Sequence, residues 1–343
     1  MSQPFLEVRD LHVAFPTHDG LVKANNGVTF SVARGETLAI VGESGSGKSV
    51  SSLAVMGLHN RRQAHISGQA ILNLDSGPID VIAADEDEVR RLRGKQMAMI
   101  FQDPMSSLHP YYTIGDQLAE AWRLHNDGSK SDSWKRAIEM IDMVGIPSAA
   151  KRSKEYPHQF SGGMRQRAMI AMALINNPAL LIADEPTTAL DVTVQAQILQ
   201  LLRDLQRDFN SALIIITHDL GVVAELSDRV NVMYAGRIVE QGSIDEVFYE
   251  PVMPYTMGLL ESIPRVDRGA QTERLHAIPG QPPSLVVMPD GCSFEPRCHL
   301  KHQVTDGRCQ RQMPDLIEVE PAHFGRCHLS IEALRLARPG GSR

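Results

Sequence analysis

Residues 5–32 alternate between apolar and polar positions. Leu6, Val8, Leu11, Val13 and Phe15 mark the first arm, and Val22, Val28, Phe30 and Val32 the second. A period of two, with Asp19-Gly20 between the arms, predicts antiparallel strands around a turn. Thr37–Val41 (TLAIV) is apolar throughout, the pattern of a strand buried on both faces of a parallel sheet. Leu180–Ala183 and Ala212–Thr217 repeat that pattern, and helical periods lie between the runs at Gly162–Asn176 and Val192–Phe209. Strands alternating with helices predict an α/β core with a mostly parallel sheet. Residues 105–157 lack such runs and predict a helical insertion, with helices over Ile114–Leu124 and Ser133–Val144. Beyond residue 250, Pro251, Pro254, Pro264, Pro279, Pro282, Pro283, Pro289 and Pro296 interrupt any long element. That change of character predicts a domain boundary within residues 250–275.

Composition narrows the class. The chain has 343 residues, room for about two domains. Hydrophobic residues make up 43% and charged residues 22%, as in a soluble globular protein with a real core. The formal charge of −7 argues against a nucleic-acid-binding surface. The start, Met1-Ser2-Gln3-Pro4-Phe5-Leu6-Glu7, lacks the basic region and apolar run of a secretion signal. Apolar stretches such as Ala168–Ile175 fall short of the roughly 18–20 residues a membrane-spanning helix needs. The expected location is therefore cytoplasmic, with other subunits holding the chain at any membrane where it works. All four cysteines lie after residue 290, which favours shared ligation over a disulfide framework.

The strongest chemistry follows Thr37–Val41. Gly42-Glu43-Ser44-Gly45-Ser46-Gly47-Lys48-Ser49 fits the P-loop pattern G-x-x-x-x-G-K-S/T, and a helix-like run, Ser49–Leu58, comes next. The glycines at 42, 45 and 47 let backbone N–H groups close around phosphate oxygens. Lys48 reaches β- and γ-phosphates, and the Ser49 hydroxyl suits Mg²⁺. Leu180-Leu181-Ile182-Ala183-Asp184-Glu185 is a second apolar strand ending in two acids. Asp184 suits Mg²⁺ through water, and Glu185 suits polarisation of an attacking water. Together these elements define a nucleoside triphosphatase.

Further motifs carry a family resemblance. Phe160-Ser161-Gly162-Gly163-Met164-Arg165-Gln166 resembles the L-S-G-G-Q signature of ABC-transporter ATPases, with Met164 in place of the usual Gln. Ser161 reads as an N-cap, and the following amides form an anion site. Gln102 in Ile100-Phe101-Gln102-Asp103 resembles the Q-loop, also a Mg²⁺ contact. Ala189-Leu190-Asp191 resembles the D-loop, and His218 in Thr217-His218-Asp219 the switch histidine. Phe15 sits where the family stacks an aromatic ring on adenine. The resemblance covers roughly residues 5–250. It implies a P-loop ABC ATPase core with an antiparallel β subdomain and a helical subdomain, using ATP and Mg²⁺. Glu185, His218 and Gln102 become the catalytic candidates. The nucleotide contacts become Phe15, Gly42, Ser44, Gly45, Gly47, Lys48, Ser49, Gln102 and Asp184, with Ser161, Gly162, Gly163 and Asp191 meeting nucleotide across a dimer.

Within that family the chain resembles the oligopeptide/dipeptide importers. Phe101-Gln102-Asp103-Pro104-Met105-Ser106-Ser107-Leu108-His109-Pro110, Tyr156-Pro157-His158-Gln159-Phe160 and the run from Ala183 to Gln195 carry the likeness. So do Ile278-Pro279-Gly280-Gln281-Pro282-Pro283 and Gly291-Cys292-Ser293-Phe294-Glu295-Pro296-Arg297-Cys298. The expected organisation is an ATPase domain over residues 1–255, with the helical insertion at about 105–160, and a small irregular extension over 256–343. The resemblance implies a related but distinct ATPase partner, two transmembrane permease subunits and an extracytoplasmic peptide-binding protein. It places the chain peripherally on the cytoplasmic face of a bacterial inner membrane. Other cargo, such as metal chelates, glutathione-like peptides or antimicrobial peptides, stays open, because the ATPase does not touch the cargo. A non-transport ABC ATPase is disfavoured by the single set of motifs and the lack of sustained heptads. Exposed-looking Met105, Leu108, Tyr111 and Tyr112 make Gln102–Trp122 the expected dock for the membrane subunits.

The cysteines are spaced C-x₅-C-x₁₀-C-x₁₇-C at Cys292, Cys298, Cys309 and Cys327. Four thiolates suit a 4Fe–4S cluster, one per iron, and the importer extension carries such a cluster as a family feature. Zn²⁺ is the alternative, although its usual close Cys pair is missing. His299, His302, His323 and His328 are near enough in sequence to substitute as ligands, and four free thiols in a solvated tail is the third reading.

Overall fold

The computed structural model describes residues 3–188, 190–262 and 277–338. Pro264, residues 263–275 of the expected boundary zone, Ala189 and the first two residues lie outside them.

Among the described residues, twelve strands form two sheets. The antiparallel sheet holds β1 (Leu6–Thr17), β2 (Gly20–Val32), β4 (His65–Leu74) and β5 (Gly77–Asp80), in the order β2-β1-β4-β5. The arms β1 and β2 close as the alternation predicts, from Leu6 opposite Val32 to Thr17 opposite Gly20. The main sheet runs β11-β12-β10-β9-β3-β8-β7-β6. Here β3 is Thr37–Val41, β6 Met97–Ile100, β7 Leu180–Asp184, β8 Ala212–Ile216, β9 Arg229–Tyr234, β10 Arg237–Ser243, β11 Ile317–Glu320 and β12 His323–Gly325. The strands β9, β3, β8, β7 and β6 are parallel, and every residue of β3, β7 and β8 is buried. Continuous apolar runs belong at such positions because both faces are covered.

Two cores sandwich the central strands. Leu38, Ile40, Leu180, Ile182, Ile214 and Ile216 face the antiparallel sheet and the helix Lys48–Val55. Leu181, Ala183 and Leu213 face the helical side. Of the predicted helices, Val192–Phe209 stands as read, and the others are Gly162–Leu174, Ile114–Arg123 and Lys130–Met143. The last starts three residues before the expected Ser133, because Ser129 and Asp132 form a reciprocal capping box. Leu108 is 3% exposed and packs in the helical core, so it does not join exposed Met105, Tyr111 and Tyr112 on the surface.

The extension is more regular than its prolines suggest. Its late segments β11 and β12 add to the main sheet, with Glu240 of β10 opposite Gly325 and Gln241 opposite Phe324. The division expected at 255/256 falls inside the helix Pro254–Glu261, whose Tyr255 is fully buried against Tyr234 and Phe294.

Candidate active site

The main sheet brings four chain segments to one edge. In the order β3, β8, β7, β6, the C-terminal ends carry Gly42, His218, Glu185 and Gln102. Ligands of open α/β sheets sit at this edge, where loops leave the strands.

The P-loop is shaped by glycine. Gly42 and Gly47 have φ of 148° and 100°, and a Cβ on either would lie 2.1 Å from the Met233 carbonyl oxygen or 2.3 Å from that of Ala24. Only glycine lets this loop press so closely against β9 and β2. Ser44 and Gly45 form its exposed crest, and Lys48 opens the following helix. The buried Lys48 Nζ donates to the carbonyls of Gly42 at 2.7 Å and Glu43 at 2.9 Å. Burial lowers the Lys48 pKa, while Glu185, Asp184 and Glu43 oppose that shift. A phosphate would replace the loop carbonyls as partner for this cation.

Across the cleft, Ser49 Oγ donates to Asp184 Oδ1 at 3.0 Å. Two oxygen ligands side by side suit a hard cation such as Mg²⁺. Burial raises the Asp184 carboxyl pKa against the hydrogen bond from Ser49. Glu185 then turns into the left-handed region with φ 48°, a conformation that costs a non-glycine residue about 1–3 kcal/mol. Its N–H is tied to Ile216 of β8 at 2.8 Å. Its Oε2 accepts from Gln102 Nε2 and from Thr188 Oγ1, both at 2.9 Å, and Oε1 lies 3.3 Å from His218 Nδ1. Burial works against ionisation of Glu185, but Thr188 and His218 outweigh it and hold the carboxyl below its ordinary value. The three catalytic candidates thus meet on one carboxylate, which stays anionic at neutral pH.

Other candidates lie apart. Phe15, near the end of β1, meets His59 edge-on at 5.4 Å. Ser161 caps the helix Gly162–Leu174 by accepting from Met164 N–H at 3.3 Å. Gly163 lies against Val194, and Asp191 caps the helix Val192–Phe209 by accepting from Val194 N–H at 3.0 Å. The signature and Asp191 therefore form one surface, and among the described residues no hydrogen bond joins it to the P-loop. Sequence reasoning missed Thr188 and Gln166. Gln166 is buried and donates to the Pro186 carbonyl at 2.6 Å, tying the signature helix to the residue after Glu185.

All four cysteines are free and half-buried, and all four line one cavity of about 20 Å³ with His328 beside them. The solvated-tail picture does not describe them. His323 is fully buried and bonded to Glu240 at 2.9 Å, away from this cavity. Burial raises the Cys292 and Cys309 pKa values and pushes Cys298 to about 11 and Cys327 to about 12. The donor set has the number and softness that a cluster or Zn²⁺ requires, but metal has to displace these protons. Among the described residues no group of three or more His, Cys, Asp or Glu stands close enough together to hold a metal ion.

A P-loop, a paired-acid strand and a capped signature helix on this sheet are the parts of an ATP-binding cassette. The family model "ABC transporter" matches residues 25–188. The dimeric cassette MJ0796 bound to ADP and Pi superposes with a TM-score of 0.62 at 26% identity, over 70% of this chain and 98% of that one. CbiO1 of Clostridium perfringens, part of the transporter complex CbiONQ, gives 0.60 at 28% identity, over 73% and 92%. A second family model, "Oligopeptide/dipeptide transporter, C-terminal region", matches residues 239–304. The oligopeptide transport ATP-binding protein OppD of Escherichia coli is 51% identical over 338 residues, 97% of this chain and 95% of its own length. OppD of Haemophilus influenzae is 49% identical over 333 residues, 97% and 99% of the two chains. The chain belongs to the ATP-hydrolysing subunits of ABC transporters, which use ATP and Mg²⁺. Within them it belongs to the oligopeptide/dipeptide importer ATPases, which work with membrane permease subunits.

Proposed function

We propose that this chain powers the import of oligopeptides or dipeptides by hydrolysing ATP at a paired nucleotide site. The observation that carries the reading is the convergence of Lys48, Ser49, Asp184, Glu185, Gln102 and His218 on one sheet edge, in a chain that also carries the importer-type extension. In this reading the loop Gly42–Ser49 holds the phosphates, Phe15 meets adenine, and Ser49, Asp184 and Gln102 hold Mg²⁺. Bound there, Mg²⁺ would offset charge on the phosphate oxygens. Glu185 polarises the attacking water, and His218 and Gln102 hold Glu185 in place. Ser161, Gly162, Gly163 and Asp191 face the nucleotide of the partner ATPase, so binding closes the pair and hydrolysis reopens it.

The partner is a related, distinct ATPase chain. Two permease subunits convert closure into alternating access, and an extracytoplasmic binding protein delivers the peptide. The chain sits peripherally on the cytoplasmic face of a bacterial inner membrane. No helix among the described residues is long and apolar enough to cross a membrane. The chain divides into an ATPase unit, 1–255, and an extension, 256–343. Cys292, Cys298, Cys309 and Cys327 would hold a structural 4Fe–4S cluster, with Zn²⁺ as the alternative, by drawing closer together than they stand here; support comes from four soft donors lining one cavity.

The test is uptake of labelled peptides into vesicles holding the assembled transporter. Uptake should require ATP and vanish in Lys48→Ala, which removes the cation from the phosphate site. ATP-dependent uptake of metal chelates or antimicrobial peptides, with none of di- or oligopeptides, would overturn the cargo assignment. Full uptake by Lys48→Ala would overturn the site.

A further inference from the structure

The extension reaches into the P-loop. The carboxylate of Glu43, the loop's second residue, accepts two hydrogen bonds from Arg297: Nη1 to Oε2 at 2.9 Å and Nη2 to Oε1 at 3.0 Å. This is the bidentate geometry that a planar guanidinium offers a carboxylate. The Glu43 N–H donates to the Tyr255 hydroxyl at 2.9 Å, and its carbonyl accepts from Lys48. The Arg297 side chain is only 6% exposed. Its other contacts aim it: Nε donates to the Pro279 carbonyl at 3.0 Å, Nη2 to the Ile278 carbonyl at 3.3 Å, and Nη1 to the Tyr234 hydroxyl at 3.2 Å.

A buried guanidinium gives up hydration and recovers it only through well-placed partners. Here that arrangement delivers a cation to a carboxylate inside a loop built for anions. Without it, Glu43 would set a negative charge beside a bound triphosphate, and partial burial strengthens such repulsion. Lys48 must also release the Glu43 carbonyl to meet phosphate, which leaves Tyr255 and Arg297 to fix the loop's second residue.

We propose that Arg297 is a positioning and charge-neutralising residue of the nucleotide site, holding Glu43 so that the P-loop accepts a nucleoside triphosphate without an opposing charge. The proposal rests on the ATP-binding reading of this loop.

The test is the affinity of the full-length chain for a fluorescent ATP analogue, in a series that changes local charge. Arg297→Ala should bind about tenfold more weakly, and Arg297→Lys should keep most of the affinity. Glu43→Gln, which leaves Arg297 uncompensated, should bind tighter than wild type. The double variant Glu43→Gln/Arg297→Ala should recover most of the loss, and the differences should shrink at high salt. In ATPase assays of the assembled transporter the Arg297→Ala defect should fall on KM rather than kcat. A role confined to packing would not order the variants by charge. Arg297→Ala within twofold of wild type, or a double variant no better than Arg297→Ala, would overturn the proposal. Should Arg297→Ala not fold, weakened binding by Glu43→Gln would overturn it equally. Wild-type affinity in Lys48→Ala would instead sink the ATP-site reading itself.

Discussion

Replacing Glu185 with Gln isolates the charge of one carboxylate. In the structure Oε2 accepts from Gln102 and Thr188, and Oε1 faces His218 Nδ1. A glutamine can keep its oxygen toward Gln102 and Thr188 and turn its amide toward the imidazole nitrogen, which then accepts. Every neighbour stays satisfied and the left-handed backbone at φ 48° is unchanged. What disappears is the negative charge that draws a proton from water. Loss of a positioned general base lowers turnover by about 10²–10⁴-fold, and a factor of 10² corresponds to about 2.7 kcal/mol of barrier. Binding should respond in the opposite sense. Glu185 supports the charge of Lys48 but also faces an incoming triphosphate, so ATP should bind at least as tightly. The assay is steady-state phosphate release by the assembled transporter, beside direct nucleotide binding. The pH profile adds a check. The Glu185 pKa is lowered from 4.5, so the carboxylate is complete above that value and is lost only as pH falls through the lowered pKa. Wild-type turnover should therefore show no fall assignable to Glu185 between about pH 6 and 8. Turnover within threefold of wild type in Glu185→Gln would refute the assignment.

Tyr111, Tyr112 and Met105, 82%, 56% and 51% exposed, belong to the segment expected to meet the permeases. A photo-crosslinker at Tyr111 should capture a permease subunit, and free solvent exposure there in the whole complex would refute the docking. Glu240→Ala should lower stability by about 1–3 kcal/mol, because it leaves the buried Val252 and Met253 N–H groups without their acceptor and removes the partner of His323 at 2.9 Å. A melting temperature unchanged within 2 °C would contradict that accounting. Anaerobic purification should give a brown protein absorbing near roughly 400 nm with about four irons per chain. A colourless protein with one zinc, or without metal, would rule out the cluster.

The central strands and the P-loop were legible because each is a local pattern. TLAIV, LLIAD and ALIII are apolar runs with nowhere to stand except inside a parallel sheet. The apolar period of the helix Lys130–Met143 begins after its start, since its first turn is polar and its start is marked only by the Ser129–Asp132 pair. The burial of Leu108 is invisible in the sequence because it follows the four-residue helix Pro104–Ser107, too short to carry a period. The strands β11 and β12, at four and three residues, carry no readable period. Motif spacing could nominate Gln102, Glu185 and His218 one by one. It could not show that all three meet on a single carboxylate, because that depends on strand order.

The least legible features are the ones that join the extension to the ATPase core, and they share a cause. Glu43 and Arg297 are 254 residues apart, and Glu240 and His323 are 83 apart. Each pair is polar and unremarkable in sequence; the second forms where β12 pairs with the open edge of β10. That edge is otherwise a row of unpaired backbone groups. Tyr234, Tyr255 and Phe294 pack together with ring centres 4.5–5.4 Å apart, and the Tyr255 hydroxyl meets the P-loop at Glu43 N–H. Phe294 lies between Cys292 and Cys298 in the chain, so the cysteine segment supplies one ring of the cluster whose Tyr255 hydroxyl accepts from the P-loop. If Arg297 supports nucleotide binding as proposed, any state of that segment that favours the Arg297–Glu43 contact favours nucleotide binding too. By linkage, bound nucleotide must then favour that state of the extension by the same factor. Under the proposed role of Arg297, the extension and the nucleotide site are therefore coupled in both directions.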